Sequence, residues 1–223
     1  MADKPLSATD AFFAEQGGFG YDIGKVVAWL KKHAPLPERG RVLDLCCGDG
    51  IWSEGMQRLR PRLELWGVDI SRGGIEQAHK RLPGARERFV VADAEEPLPV
   101  PKDYFDLVFA RGLMIFNQHD MTRPGTVALL EAWHEHLAPG GRFFSTYLSK
   151  TELAGTYTPT DEVRLPLNTE PKLTRAVDFR GGKFHHSKES FLAPFRLARN
   201  VEIESYEFVV NRHNLVTRRK PPA

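Results

Sequence analysis

A chain of 223 residues, 41% hydrophobic and 27% charged, can bury one large core and is ordinary in composition for a globular protein. Its formal charge of +2 gives no strong field to draw nucleic acid to the molecule as a whole, and no apolar run approaches the roughly 18–20 residues of a membrane span. The stretch from Met1 to Asp10 lacks the apolar segment of a secretory signal, so a cytoplasmic location is expected.

Helix and strand signals alternate along the chain, which predicts an α/β fold with a mostly parallel sheet covered on both faces. A helix is predicted from about Asp22 to His33, with Ile23, Val26, Val27 and Leu30 on one face, Asp22 as cap and Pro35 as stop. Arg41–Leu45 reads as a strand. The next helix carries Trp52, Met56 and Leu59 on one stripe and ends before Pro61. Leu63–Val68 is the second strand, and Ser71 caps a helix presenting Ile75, Ala78 and Leu82. Phe89–Val91 is a β-branched third strand, and Phe105–Ala110 a fourth whose continuous apolar run suits burial on both faces.

A helix over Pro124–Leu137 turns Leu130, Trp133 and Leu137 inward, with Pro139-Gly140-Gly141 as its stop and turn. Arg142–Tyr147 is the fifth strand. From Ser149 to His186 the period is lost and Pro159, Pro166 and Pro171 intervene; a stretch this long is expected to be a substrate lid or insertion. Ser187 or Ser190 starts a short helix. Val201–Val210 and Asn214–Arg218 form a hairpin around Asn211-Arg212-His213. The whole chain, 1–223, is expected to be one domain, with residues 1–33 as an N-terminal cap and helix and 149–186 as the lid.

The two cysteines, Cys46 and Cys47, are adjacent, which disfavours a relaxed disulfide and makes a poor zinc site; both are expected reduced and buried. No other metal-ligand cluster stands out. The basic tail Arg218-Arg219-Lys220 is too short to signal nucleic-acid binding.

Gly48 and Gly50 stand between the first strand and a helix, where open α/β sheets bind ligands. Glycines permit a sharp turn and close backbone approach, and the helix that follows points its positive end at the site. Asp69, 21 residues after Gly48 at the end of the second strand, can accept from vicinal ribose hydroxyls. The turn alone fits any tight turn, and with Asp69 it still fits a nicotinamide enzyme. Three features favour S-adenosylmethionine. Asp44 can meet an ammonium, Asp93-Ala94 can meet an adenine amino group, and the C-terminal hairpin adds an antiparallel edge. Asp44 and Asp93 also have plain readings as turn or capping aspartates.

The segments Val42–Gly50, Gly67–Ser71, Ala92–Pro99, Tyr104–Phe109 and Leu137–Arg142 together resemble the five ordered motifs of class I S-adenosylmethionine-dependent methyltransferases. The likeness is to the small quinone-pathway and natural-product members and covers about Phe12 to Lys220. Cys46 stands where the family's first motif glycine would be. The resemblance implies a Rossmann-like seven-stranded mixed sheet of order 3-2-1-4-5-7-6, strand 7 antiparallel, with helices on both faces. It also implies S-adenosyl-L-methionine as cofactor and S-adenosyl-L-homocysteine as product. By position, Asp69 would hold the ribose, Ile70 would pack on adenine, and Asp93 and Ala94 would take its edge. Cys46, Gly48 and Gly50 would line the methionine part, Arg111 would lie near it through its backbone, and Tyr21 would lie over the cofactor. Phe12-Phe13 and Phe19-Gly20-Tyr21 would form a cap rather than core, with surface-helix packing as the alternative.

A sulfonium donor leaves the protein mainly a positioning task, and a base is needed only for an acceptor that carries a proton. Candidate acceptor contacts are Arg111, Met114, Phe116, Tyr147, Tyr157 and His185, with His186 and Tyr147 as candidate catalytic groups. Lys183 and Lys188 beside His185-His186 favour a solvated basic loop over a base. His134 and His136 are expected mid-helix on the surface. Arg111 can pair with an anionic acceptor or with Asp106. Tyr147 can donate a hydrogen bond or pack in the core.

The expected function is methyl transfer to a small-molecule O or N acceptor by a monomer or homodimer, without membrane or nucleic-acid partners. The alternatives are RNA or protein methylation, a non-catalytic cofactor-binding subunit, and a nicotinamide oxidoreductase. Against base methylation, Ala110-Arg111-Gly112-Leu113 stands where an Asn/Asp-Pro-Pro-Tyr-type motif would be.

Overall fold

The structure is a computed structural model that describes residues 20–158 and 183–221. In chain order the elements are α1 (Ile23–His33), β1 (Gly40–Leu45), α2 (Ile51–Leu59), β2 (Leu63–Asp69), α3 (Arg72–Arg81), β3 (Phe89–Val91), β4 (Phe105–Arg111), α4 (Pro124–His134), β5 (Leu137–Leu148), β6 (Tyr157–Thr158), β7 (Lys183–Phe184), α5 (Lys188–Leu197), β8 (Val201–Val209) and β9 (Arg212–Arg219). Seven strands form one sheet in the order β3-β2-β1-β4-β5-β9-β8, with β9 antiparallel to both its neighbours and the pairs from β3 to β5 parallel. This is the seven-stranded order that the sequence motifs imply.

Strand alternation divides the core between the two faces of the sheet. Val42, Leu107, Phe109 and Phe144 pack with Val26, Leu30, Ile51, Trp52, Met56 and Ile75, under α1–α3. Leu43, Val108, Phe143, Tyr147 and Leu215 pack with Leu130, Trp133, Phe191 and Phe195, under α4 and α5. The helix starts follow the predicted caps: Asp22 accepts from Lys25 N, Ser71 from Gly74 N and Ser187 from Ser190 N. A Cβ on Gly55 would lie 2.6 Å from Val26 Cγ1, so glycine lets α2 close onto α1. Among the described residues no helix is long and apolar enough to cross a membrane.

Several expectations are corrected. The helix before β5 ends at His134, and Leu137 already pairs with Phe105 as the first residue of β5. Pro139-Gly140-Gly141 is a bulge inside that strand, because the register runs from Phe105↔Leu137 to Leu107↔Arg142. Glycine is needed there, since a Cβ on Gly141 would sit 2.5 Å from the Phe105 carbonyl oxygen. The C-terminal hairpin turns on Val210-Asn211, with φ of 50° and 57°, which leaves Arg212 and His213 in β9. Two consecutive left-handed residues match the twist of a two-residue hairpin.

His134 and His136 are not surface residues: they are 0% and 5% exposed. His134 ends α4 against the sheet, with Nδ1 2.7 Å from the Leu130 carbonyl and Nε2 2.7 Å from Thr217 Oγ1. His185 and His186 do not lie in a solvated loop either, being 2% and 0% exposed. The antiparallel pair β6–β7 lies beside the end of β5, where Ser149 Oγ donates to the His186 carbonyl and receives the His186 N–H. Tyr21 is buried in the core cluster beneath α1 rather than held outside it. Phe12, Phe13, Phe19 and most of the expected lid, 159–182, lie outside the described residues.

Candidate cofactor and acceptor site

The turn from β1 into α2 contains three left-handed residues in alternation: Cys46 at φ 63°, Gly48 at 55° and Gly50 at 74°. Glycine takes this conformation without penalty, whereas Cys46 takes it at a cost of about 1–2 kcal/mol. The family's glycine position thus keeps glycine's backbone while carrying a side chain. The turn is clamped from the second strand. Asp69 Oδ2 accepts from Gly48 N at 2.8 Å and Oδ1 from Ser71 N at 2.9 Å. Asp69 is 7% exposed, so its carboxylate stands at the joint between the β1 turn and the β2 end. A Cβ on Gly50 would meet Ala78 Cβ at 2.9 Å, which shows how tightly the turn sits on α3. Asp49, beside it, is buried and paired with Arg81 at 3.1 Å.

Asp44 lies one turn deeper, buried, accepting from Ser53 Oγ at 2.5 Å. Burial raises its pKa from 3.8 to about 7; the Ser53 hydrogen bond opposes that rise, and the nearby Asp69 adds to it. The neighbouring thiols are pushed well above their usual range, by burial first and the surrounding carboxylates second. Both cysteines are free; Cys47 is buried as expected, but Cys46 is only partly so.

At the ends of β2 and β3, Ile70 is 50% exposed and Val91 47% exposed, an uncovered apolar pair beside the turn. Asp93 is exposed, its Oδ1 accepting from Glu95 N at 2.9 Å. Ala94 is buried, and its carbonyl accepts from Trp133 Nε1 at 2.9 Å, which ties this loop to α4. On the other side of β1, Arg111 ends β4 with its guanidinium 4.1 Å from the Trp52 ring centroid and 5.2 Å from that of Tyr21. Its Nη1 is 3.4 Å from Tyr21 Oη, while Nε and Nη2 are buried without a hydrogen-bond partner among the described residues. Asp106 is not its partner: that carboxylate instead accepts from Arg41 N at 2.7 Å.

A family model described as a methyltransferase domain matches residues 42–141, the segment from β1 to the start of β5. Over that segment the chain is similar to methyltransferase domains. It is 34% identical over 123 residues to a trans-aconitate 2-methyltransferase of Methylobacterium nodulans, covering 55% of this chain and 44% of that protein. It is 35% identical over 106 residues to the ubiquinone/menaquinone biosynthesis C-methyltransferase of Desulfotalea psychrophila, covering 48% and 40%. The chain thus spans less than half the length of these curated relatives. A crystal structure of an S-adenosylmethionine-dependent methyltransferase from Mesorhizobium loti superposes with a TM-score of 0.63 at 19% identity, over 89% of this chain and 100% of that one. That likeness concerns the fold.

The acceptor candidates fall into two groups. Tyr147 and Phe116 are fully buried core rings, 5.4 Å apart and packed with Phe191. Tyr147 Oη lies 2.5 Å from Asn117 Oδ1 and 2.9 Å from the Phe184 carbonyl. One phenolic proton cannot serve two acceptors. Turning the Asn117 amide so that Nδ2 donates to Tyr147 leaves that proton for Phe184, and we prefer that arrangement. His186 Nε2 is 2.7 Å from the Phe116 carbonyl, which can only accept, so Nε2 carries a proton. Burial pulls its pKa down to about 4. His185 is similarly engaged, Nδ1 receiving Lys150 N and Nε2 2.6 Å from Thr158 Oγ1. Met114 and Tyr157 lie nearer the surface, with Tyr157 50% exposed and its hydroxyl on the Asn117 carbonyl.

The structure therefore gathers Asp44, Cys46, Gly48, Gly50, Asp69 and Arg111 around the ends of β1, β2 and β4. It sets Phe116, Tyr147, His185 and His186 in the packing beneath β6–β7. Sequence reasoning missed Ser53, Asn117, Thr146, Lys183, Arg212 and Asn214. Thr146 offered a signal, as a polar residue near the carboxyl end of an apolar strand. Arg212 and its neighbours gave none, because they read as turn.

Proposed function

We propose that this chain transfers the methyl group of S-adenosylmethionine to a small-molecule acceptor at the carboxyl ends of β1, β4 and β5. The observation that carries the reading is the left-handed turn Cys46–Gly50 clamped to Asp69. It presents backbone without Cβ atoms at Gly48 and Gly50 next to a buried carboxylate. The residues present fit the cofactor on three further counts. Asp44 is a buried acid able to face an ammonium. Ile70 and Val91 leave apolar surface for a flat ring. Trp52 Nε1 is a buried donor without a hydrogen-bond partner among the described residues. Asp93 and Ala94 would take the adenine edge, and Tyr21 would close the methionine end from above Trp52, 5.9 Å away centroid to centroid.

Bound S-adenosylmethionine supplies an electrophilic methyl on a sulfonium, and its transfer leaves S-adenosylhomocysteine. The protein holds the donor, aligns the acceptor and excludes water. We assign Tyr147 and His186 to holding β7 and the segment after β4 in place, since their polar atoms are spent on Asn117, Phe184 and Phe116. The chemistry then proceeds without a dedicated base, which suits an acceptor that is already ionised at neutral pH. The relatives named for trans-aconitate and for ubiquinone/menaquinone biosynthesis both support a small-molecule acceptor.

The test is transfer of label from methyl-labelled S-adenosylmethionine into a small-molecule extract, compared with RNA and protein fractions under the same conditions. Label in the low-mass fraction supports the reading. Label confined to RNA or protein, or none with demonstrated cofactor binding, refutes it.

A further inference from the structure

Beside the cofactor turn, three strands carry a row of unsatisfied polar groups. Arg111 on β4 is in register with Thr146 on β5, and Thr146 with Asn214 on β9. Side-chain alternation puts all three on one face, that of Phe109, Phe144 and Val216 two residues along their strands. Among the described residues, Arg111 Nε and Nη2, Thr146 Oγ1 and Asn214 Oδ1 are all buried without a hydrogen-bond partner. Asn214 is oriented by Glu207, which accepts from its Nδ2 at 3.0 Å, and Oδ1 is the end of the amide left unengaged among the described residues. Arg212, paired with Leu148 in the next register position on the same face, is only 3% exposed.

The charges on this row do not balance. Arg212 and Arg111 form no ion pair among the described residues, and neither does Lys183, whose Nζ sits 3.3 Å from the Tyr147 ring centroid. The three feel one another. Burial, then Arg111, draws the Arg212 pKa down to about 9, and burial, then Arg212 and Arg111, draws Lys183 well below its usual range. The acid that attracts Arg111 is Asp44, which is already bonded to Ser53. Every other arginine held this deep in a fold is expected to have a carboxylate or phosphate opposite it, because an uncompensated buried cation is strongly unfavourable.

We propose that the anion missing from this row is the methyl acceptor, a small carboxylate-bearing molecule held by Arg111 and Arg212 with Thr146 between them. The inference rests on the methyltransferase reading above and names the substrate class for it. Two guanidinium forks suit a carboxylate, each able to bind it bidentately, and the Thr146 hydroxyl can donate to the same group. Asn214 Oδ1 accepts a donor that the ligand carries. The position separates this site from the donor's own carboxylate. Asp69 and the glycine turn belong to β1 and β2, whereas Arg212 is on β9, two strands beyond β4.

The test begins with S-adenosylhomocysteine binding by calorimetry, because failure at that step overturns the methyltransferase reading rather than this one. The S-adenosylhomocysteine-loaded protein is then titrated with succinate, glutarate, citrate and benzoate, each against its neutral amide. At least one carboxylate is expected to bind ten-fold or more tightly than its amide. That preference should vanish in Arg212→Gln and return in Arg212→Lys, while S-adenosylhomocysteine affinity stays within two-fold of wild type. Absence of any carboxylate preference in wild type overturns the proposal, as does a preference that survives Arg212→Gln. So does an Arg212→Gln variant whose main loss is S-adenosylhomocysteine binding, which would give the cation to the donor. If Arg212→Gln does not fold, the carboxylate–amide comparison in wild type, repeated on Thr146→Val, decides in the same way: a preference weakened by Thr146→Val supports the site and an unchanged one refutes it.

Discussion

His134 makes the fold sensitive to acid in a way that can be isolated. Its ring is fully buried at the end of α4, stacked on Phe143 at 4.9 Å. The Leu130 carbonyl fixes the proton on Nδ1, and Thr217 Oγ1 donates to Nε2. Burial is the largest influence and lowers the pKa from 6.5 to about 4. The unfolded chain therefore takes up a proton below pH 6.5 that the folded chain refuses until about pH 4. Stability from this group is complete above pH 6.5 and is lost as pH falls towards 4. Between pH 7 and pH 5 the loss is about 2 kcal/mol. Asp44 acts in the opposite sense, since its raised pKa stabilises the fold as pH drops below 7. The wild-type pH profile alone is therefore not diagnostic, but a comparison with His134→Gln is, because Asp44 cancels between the two proteins. Urea denaturation at pH 7 and pH 5 should show wild type losing about 2 kcal/mol more than His134→Gln over that interval. Parallel losses in the two proteins would refute the assignment of a buried neutral histidine.

Asp44, with a pKa near 7, should ionise on meeting the cofactor's ammonium, so binding should release on the order of half a proton at pH 7. Affinity for S-adenosylhomocysteine should then fall between pH 7 and 5.5 in wild type and stay flat in Asp44→Asn. Calorimetry in buffers of different ionisation enthalpy measures the proton, and a flat wild-type profile contradicts the role. Gly67→Ala would place a Cβ 2.4 Å from Phe89 Cδ1 and 2.9 Å from Cys47 Sγ, an overpacking expected to cost about 1–3 kcal/mol in denaturation free energy. A loss below about 0.5 kcal/mol would mean that the β2–β3 packing yields more readily than these distances allow.

Much of the fold was legible because its signals are local. Phe89–Val91 was placed by its β-branched run, and Asp22, Ser71 and Ser187 mark helix starts through one side-chain oxygen each. The cofactor side was legible for the same reason, since Gly48, Gly50 and Asp69 carry their meaning in position and backbone demand. What escaped depended on contacts between distant segments. His134 looked like surface on a helix, yet the antiparallel β9 brings Thr217 to it from 83 residues away. His185 and His186 looked solvated beside Lys183 and Lys188, because nothing nearby in sequence reveals that Lys150 and Thr158 engage His185 or that Ser149 and Phe116 engage His186. Pro139-Gly140-Gly141 carries the composition of a turn but serves a bulge, where Gly141 is required by the Phe105 carbonyl of the neighbouring strand. The cation row on β4, β5 and β9 could not be seen before the register aligned Arg111 with Thr146 and Thr146 with Asn214.

The central claim is that the turn Cys46–Gly50 and Asp69 hold S-adenosylmethionine, and calorimetry of S-adenosylmethionine and S-adenosylhomocysteine on wild type and Asp69→Ala tests it most directly. Folded wild type is expected to bind both at micromolar concentration, and Asp69→Ala, confirmed as folded by its denaturation profile, is expected to lose that binding. Absence of binding by folded wild type to either ligand would contradict it.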